Sequence, residues 1–147
     1  MKRNSIIFLF LLCCFYACKS NDKKPTGKSD NSIDAARNFI RSALDGRFDE
    51  ARTFMLPDSS NINYMDVAER SFQNTDQGVK NNYRSSTILI HNVNDINDST
   101  TILIYSNSYK NDKDTLRVVK VKNQWLVDLK YLFEHSSDTT VNKGLSK

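Results

Sequence analysis

Cysteine is scarce in this 147-residue chain, and none lies beyond position 18. The three cysteines occupy positions 13, 14 and 18, inside or directly after an apolar run near the N-terminus. The region that follows therefore cannot form an internal disulfide, and it contains neither a cysteine nucleophile nor a cysteine-based metal site. We expect its net stability to come from apolar burial.

Glycine and histidine are also rare. The four glycines form no phosphate-cradling loop, and no serine lies in a G-x-S-x-G elbow. The two histidines, His91 and His135, have no partner at metal-ligand spacing. The sequence therefore predicts neither a metal nor another cofactor.

The chain has little excess positive charge if its first residues, which include Lys2 and Arg3, are removed as a leader peptide. The chain has 21 Lys and Arg against 17 Asp and Glu, and loss of Lys2 and Arg3 with a leader leaves 19 against 17. The two signs are interspersed, without the basic cluster that neutralises phosphates. This pattern excludes nucleic acid as the expected partner.

The N-terminus has the parts of a secretory signal: Lys2 and Arg3, an apolar run from Ile6 to Tyr16, then Ala17 and Cys18. The run has about a dozen apolar residues, fewer than the ~20 of a membrane-spanning helix. A small residue directly before a cysteine resembles the lipobox of bacterial lipoproteins. The resemblance implies cleavage between Ala17 and Cys18 and diacylation of Cys18, so that the membrane is a partner through this anchor.

Four regions follow from this arrangement: a lipoprotein signal peptide at 1–17, the lipidated cysteine and a disordered tether at 18–31, a folded domain at 32–134, and a flexible polar tail at 135–147. The tether has no large apolar side chain and contains Pro25 and Gly27. Position 19 is Lys rather than the Asp of the usual inner-membrane retention signal. We therefore expect a cell-envelope protein of the outer membrane that faces the periplasm.

The first part of the domain has helical periodicity. Asn31 or Ser32 is expected to cap a helix that ends at Gly46. Apolar residues recur within it at spacings of three and four: Ile33, Ala36, Ile40, Ala43 and Leu44.

Two shorter helical patterns come next. One runs from Phe48 until Pro57 ends it, and a weaker one spans about 61–74 and closes before Gly78.

Beyond Gly78, residues with β-branched side chains cluster in four runs, which predict an antiparallel meander. These runs begin at Ser85, Thr100, Thr115 and Trp125, and the last continues to Tyr131. In the last strand Trp125, Val127 and Leu129 alternate with Asp128, which places Asp128 on the outer face of the sheet. Helices followed by strands indicate a two-layer α+β fold.

This order, with the segments AARNFIRSALDGRFDEARTFM and VKVKNQWLVDL, resembles the NTF2-like (cystatin-like) superfamily. It is most similar to the DUF4878-type, lumazine-binding-like domains of bacterial lipoproteins, over Ser32 to Phe133. The resemblance implies N-terminal helices packed on a curved four-stranded antiparallel sheet, which form a cone. It also leaves open a homodimer through the sheet.

Aromatic residues are the candidates for lining a pocket in such a cone. The set comprises Phe39, Phe48, Phe72, Tyr105 and Trp125. The alternative is that these residues pack the core, and we expect core packing to be their main role because the domain depends on apolar burial.

Superfamily resemblance does not define function, because the same cone serves isomerases, dehydratases, transport factors and catalytically silent binding domains. Its proton-transfer members combine an Asp or His base with a Tyr or Asp donor. The corresponding set here would be His91 or Asp128 with Tyr64, Tyr105 or Tyr109. An outward-facing Asp128 would lack the burial that a catalytic carboxylate needs.

We therefore expect a non-enzymatic module that binds a small hydrophobic ligand or an envelope protein. An NTF2-like enzyme of the isomerase or dehydratase type, acting on a small hydrophobic substrate, is the alternative.

Metabolic labelling with a fatty-acid analogue tests the anchor. We expect the wild type to be labelled and Cys18→Ser to be unlabelled, because the substitution removes the acceptor sulfur. Equal labelling of the two proteins would contradict lipidation at Cys18.

Overall fold

The structure is a computed structural model that describes residues 28–135. The signal peptide, the cleavage site at Ala17 and Cys18, tether residues 19–27 and tail residues 136–147 lie outside the described residues. The described part contains helices α1 (Ser32–Leu44), α2 (Phe48–Arg52), α3 (Ser59–Gln73), α4 (Gln77–Ser85) and α5 (Leu129–His135). Its strands are β1 (Ile88–Asn97), β2 (Thr100–Asn107), β3 (Asp114–Val121) and β4 (Gln124–Asp128).

The four strands form one sheet in the order β1-β2-β3-β4, and every neighbouring pair is antiparallel. The predicted α+β fold, with helices before a four-stranded antiparallel sheet, is confirmed. The turn between β3 and β4 is tight: Lys122 and Asn123 have φ angles of 49° and 64°. Positive φ at both central residues is typical of the two-residue hairpin turn whose twist matches that of the flanking strands.

Helix α1 forms the inner layer. The Asn31 side chain caps it by accepting the N–H of Asp34 at 2.9 Å. Its buried apolar residues are Ala35, Ala36, Phe39 and Ile40, and they belong to one core with Leu103, Leu116, Val118 and Val127 of the sheet. The core therefore lies between α1 and one face of the layer formed by β2, β3 and β4.

Helix α2 is shorter than predicted, since it ends at Arg52 rather than next to Pro57. The backbone that follows pairs with the edge of β4: the Leu56 N–H donates to Val127 O at 2.9 Å, and the Val127 N–H donates to Phe54 O at 2.8 Å. These bonds cover a strand edge that would otherwise present unpaired backbone groups.

Helix α4 was not predicted, and β1 begins at Ile88 instead of Ser85. Asp76 caps α4 by accepting the N–H of Gly78 at 2.7 Å. No residue of α4 is fully buried. Its apolar residues are Val79 and Tyr83, four positions apart, so this nine-residue helix gives only a short periodic signal in the sequence.

The last strand is also shorter than predicted. Pairing between β3 and β4 ends at Arg117 and Asp128, and the chain enters α5 at Leu129. The Asn61 side chain accepts the N–H of Leu129 at 2.6 Å. This N–H is thus satisfied from the start of α3 and not by a strand ladder.

Asp128 lies on the face opposite Val127, as alternation predicted, but the expectation that this face exposes it was wrong. Its side chain is 4% exposed. Arg117 donates to its carboxylate, the Lys130 N–H donates at 3.2 Å, and Asn61 Nδ2 lies 3.4 Å away. The carboxylate is buried because charged and polar partners from three elements compensate the loss of water.

Asp128→Ala should lower the free energy of unfolding by ~2 to 4 kcal/mol, because it leaves Arg117 and Asn61 without their shared acceptor. Arg117 is 35% exposed, so water will compensate part of that loss. Urea denaturation measures the change. The control is Asp98→Ala, which removes an exposed carboxylate from the turn between β1 and β2 and should stay within ~0.5 kcal/mol of the wild type. Equal effects of the two substitutions would contradict a stabilising network at Asp128.

Candidate functional site

A cavity of about 490 Å³ lies between α1, α3 and α4 and the end of the sheet where β2 finishes and β3 begins. Its apolar wall consists of Phe39, Ile40, Ala43, Leu44, Phe48, Ala68 and Phe72. Its more polar wall consists of Ser71, Thr75, Tyr83, Tyr105, Asn107, Lys110, Asp112 and Asp114. Phe39, Ile40 and Phe48 are buried while Lys110, Asp112 and Asp114 are exposed. The cavity therefore has an apolar interior and a charged rim.

Gly46 determines where the Phe72 ring lies in this wall. Its φ angle is 78°, in the region that side chains disfavour, and a Cβ added there would lie 2.6 Å from Phe72 Cε1. The predicted helix end at Gly46 therefore has a second role, which is to admit the Phe72 ring against the turn between α1 and α2.

Phe72 belongs to a chain of aromatic contacts that crosses the cavity wall. Its ring packs edge-on against Phe48 at 5.5 Å between centroids, and the Tyr83 ring lies 6.5 Å away. Tyr83 in turn contacts Tyr109 edge-on at 5.1 Å. Successive rings hold one another in position, so the aromatic wall links α2, α3 and α4 to the loop after β2.

Four of the five predicted pocket residues line the cavity: Phe39, Phe48, Phe72 and Tyr105. Phe39 and Phe48 are also core residues, each 6% exposed, so pocket lining and core packing coincide at these positions. Trp125 does not line the cavity. It pairs with Lys120 near the far end of β3, where the Lys120 ammonium lies 5.6 Å from the centre of the indole.

Tyr105 and Asp114 are paired across β2 and β3 on the side of the sheet that faces the helices. Burial raises the pKa of the Tyr105 phenol, and the negative charge of Asp114 raises it further. The phenol therefore stays protonated. Within residues 28–135 its hydroxyl has no hydrogen-bond partner, so it is available to a ligand.

The carboxylates of Asp112 and Asp114 lie together at the rim. Desolvation raises the pKa of Asp114, and repulsion by Asp112 adds to the effect. Lys110 is the cation of the cavity lining, but its ammonium lies 5.7 Å from the centre of the Tyr109 ring. No ion pair joins either carboxylate to a cation in the described part of the chain.

The predicted enzymatic set is not brought together. His91 Nε2 lies 2.9 Å from Ser106 Oγ, Tyr64 stacks on Phe133 at 4.5 Å, and Asp128 is held by Arg117. Tyr105 is the member of this set that lines the cavity. The nearby carboxylate that sequence reasoning missed is Asp114, because the predicted strand began one residue later, at Thr115. Had the predicted β2–β3 pairing been extended by one residue pair beyond Thr115, it would have placed Asp114 opposite Tyr105.

Comparison of the chain with protein-family models, with curated proteins and with solved structures found no match. Across residues 28–135, no three His, Cys, Asp or Glu side chains are grouped so that they could hold a metal ion. No helix in that range combines the length and apolar character that a membrane span requires.

Asp114→Asn should stabilise the protein at pH 7. The folded-state pKa of Asp114 lies above its ordinary value, so folding disfavours the charged form, and this penalty grows as the pH rises through the folded-state pKa. The amide carries no such penalty. Thermal unfolding at about pH 7 and about pH 3 measures the difference, which should shrink at the lower pH where the native carboxyl is protonated.

The matched control is Asp98→Asn, an exposed turn position that loses the same charge. It should unfold like the wild type at both pH values. A less stable Asp114→Asn protein at pH 7 would show that the carboxylate is favourably paired in the fold.

Proposed function

We propose that this chain is a lipid-anchored protein of the bacterial outer membrane, facing the periplasm, whose folded domain binds a small and largely apolar ligand without chemically changing it. The observation that carries the proposal is the cavity of about 490 Å³ with its aromatic interior. Its volume is within the ~300 to 1,000 Å³ of small-molecule sites, which combine apolar walls with a few polar groups.

The sequence around Cys18 supports the location. Ala17 before Cys18, the short apolar run and the polar segment that follows all favour a lipidated N-terminus. The resemblance to lipoprotein domains of the DUF4878 type agrees with this location. The labelling experiment at Cys18 tests the anchor independently of the cavity.

An NTF2-like enzyme is the second candidate, and the Tyr105 and Asp114 pair favours it. A neutral phenol and a carboxylate with a raised pKa are groups that proton-transfer enzymes use. Here, however, the two groups are neighbours on adjacent strands and belong to one wall. A base and a donor that act on one substrate usually approach it from different directions, so this arrangement favours binding over catalysis.

Ser71→Trp tests the cavity. Ser71 is an exposed residue of α3 that lines the cavity, so a large ring can enter from there without displacing the core. We expect the full-length wild type in detergent to bind tryptophol, a neutral indole alcohol, in isothermal titration calorimetry. Ser71→Trp should bind it at least about tenfold more weakly, because the new ring occupies the space.

Asn63→Trp is the matched control, since Asn63 is exposed on the same helix and outside the cavity lining. It should bind tryptophol like the wild type. Melting temperatures of all three proteins show whether the fold is intact. Equal tryptophol binding by Ser71→Trp and the wild type would overturn the proposed cavity function.

A further inference from the structure

Resting on the proposed cavity function, we propose that the ligand is an aromatic amine. Its ring would pack against the Phe72 and Tyr83 wall, and its ammonium group would bind the carboxylates of Asp112 and Asp114 at the rim. The proposal concerns the chemical class of the ligand, and its grounds are the charge and the contacts of the cavity lining.

The first ground is that two carboxylates without an ion pair line the same cavity. Seven acidic residues form ion pairs with Arg or Lys: Asp45, Asp49, Glu50, Asp58, Asp66, Glu69 and Asp128. Asp112 and Asp114 form none among residues 28–135. Other aspartates there also lack an ion pair: Asp30, Asp34, Asp76, Asp95 and Asp98. Unlike these, Asp112 and Asp114 both line the cavity, where the charge of Asp112 repels that of Asp114. A cation from outside the domain would relieve that repulsion.

The second ground is the position of the lysine in the cavity lining. Lys110 lines the same cavity, yet its ammonium lies over the Tyr109 ring and not on either carboxylate. The rim therefore keeps a net negative charge, from two carboxylates and one lysine. An anionic ligand would meet this charge without a compensating partner, whereas an ammonium group would be attracted.

The third ground is the chemistry of the apolar wall. The cavity places Phe72, Tyr83 and Tyr105 beside the carboxylates, and aromatic faces attract cations as well as rings. The Lys80 ammonium already lies 5.8 Å from the centre of the Phe72 ring. The free hydroxyl of Tyr105 adds a hydrogen-bonding group next to Asp114. An aromatic amine is complementary to all three kinds of group at once.

Three indole probes that differ mainly in charge test the inference: tryptamine, tryptophol and indole-3-propionate. Titration calorimetry of the full-length protein at about pH 7.5 should give the tightest binding for tryptamine and the weakest for indole-3-propionate. The preference for tryptamine over tryptophol should be about fivefold, as expected for an ion pair at an exposed rim. Added salt should reduce this preference.

Asp114→Asn should weaken tryptamine binding far more than tryptophol binding, so that most of the preference for tryptamine is lost. Asp98→Asn loses the same charge away from the cavity and should keep the preference. Equal binding of tryptamine and tryptophol, or tighter binding of indole-3-propionate, would overturn the amine inference and leave the cavity function standing. Failure of the wild type to bind all three probes would instead overturn the proposed function itself.

Discussion

The buried carboxylate of Asp128 is the constraint on which the arrangement of the helices depends. It must be compensated, and the compensation comes from Arg117 on β3 and from Asn61 at the start of α3. Asn61 also accepts the Leu129 N–H and donates to Asp58 at 2.6 Å. These bonds attach the first turn of α3 to the end of β4. From Asn61, α3 extends by ~1.5 Å per residue to Phe72, where it becomes a wall of the cavity.

The far end of α3 is located by packing and not by polar bonds. Gly46 lets the Phe72 ring approach the turn after α1 to a distance that a Cβ would not permit. Phe48 then contacts that ring from α2. Because α3 is held at both ends, the cavity beside it lies between fixed elements and is not a gap left by loose packing. A preformed cavity of this kind loses little free energy to reorganisation when a ligand enters.

The sequence could predict those features that depend on neighbouring residues. The cap at Asn31, the helix end at Gly46 and the four runs of β-branched residues all follow from local patterns. The burial of Asp128 could not be predicted, because its partner Asn61 lies 67 residues away in the chain. Helix α4 has nine residues and only two apolar ones, Val79 and Tyr83, so its periodic signal is too short to detect. The neighbourhood of Tyr105 and Asp114 depends on the exact strand register, which local patterns do not determine.

The domain contains two aspartates, Asp128 and Asp114, whose carboxylates have opposite surroundings. This contrast favours the cavity as the functional region. Asp128 is surrounded by Arg117 and polar donors, which is how a fold accommodates a structural charge. Asp114 lies at the exposed rim of the cavity, partly desolvated and next to Asp112, without an ion pair in the described residues. A carboxylate in this position is a local conflict, because its replacement by a neutral side chain should stabilise the fold. Local conflicts of this kind are expected where a protein meets its ligand, because there the missing partner arrives with the ligand.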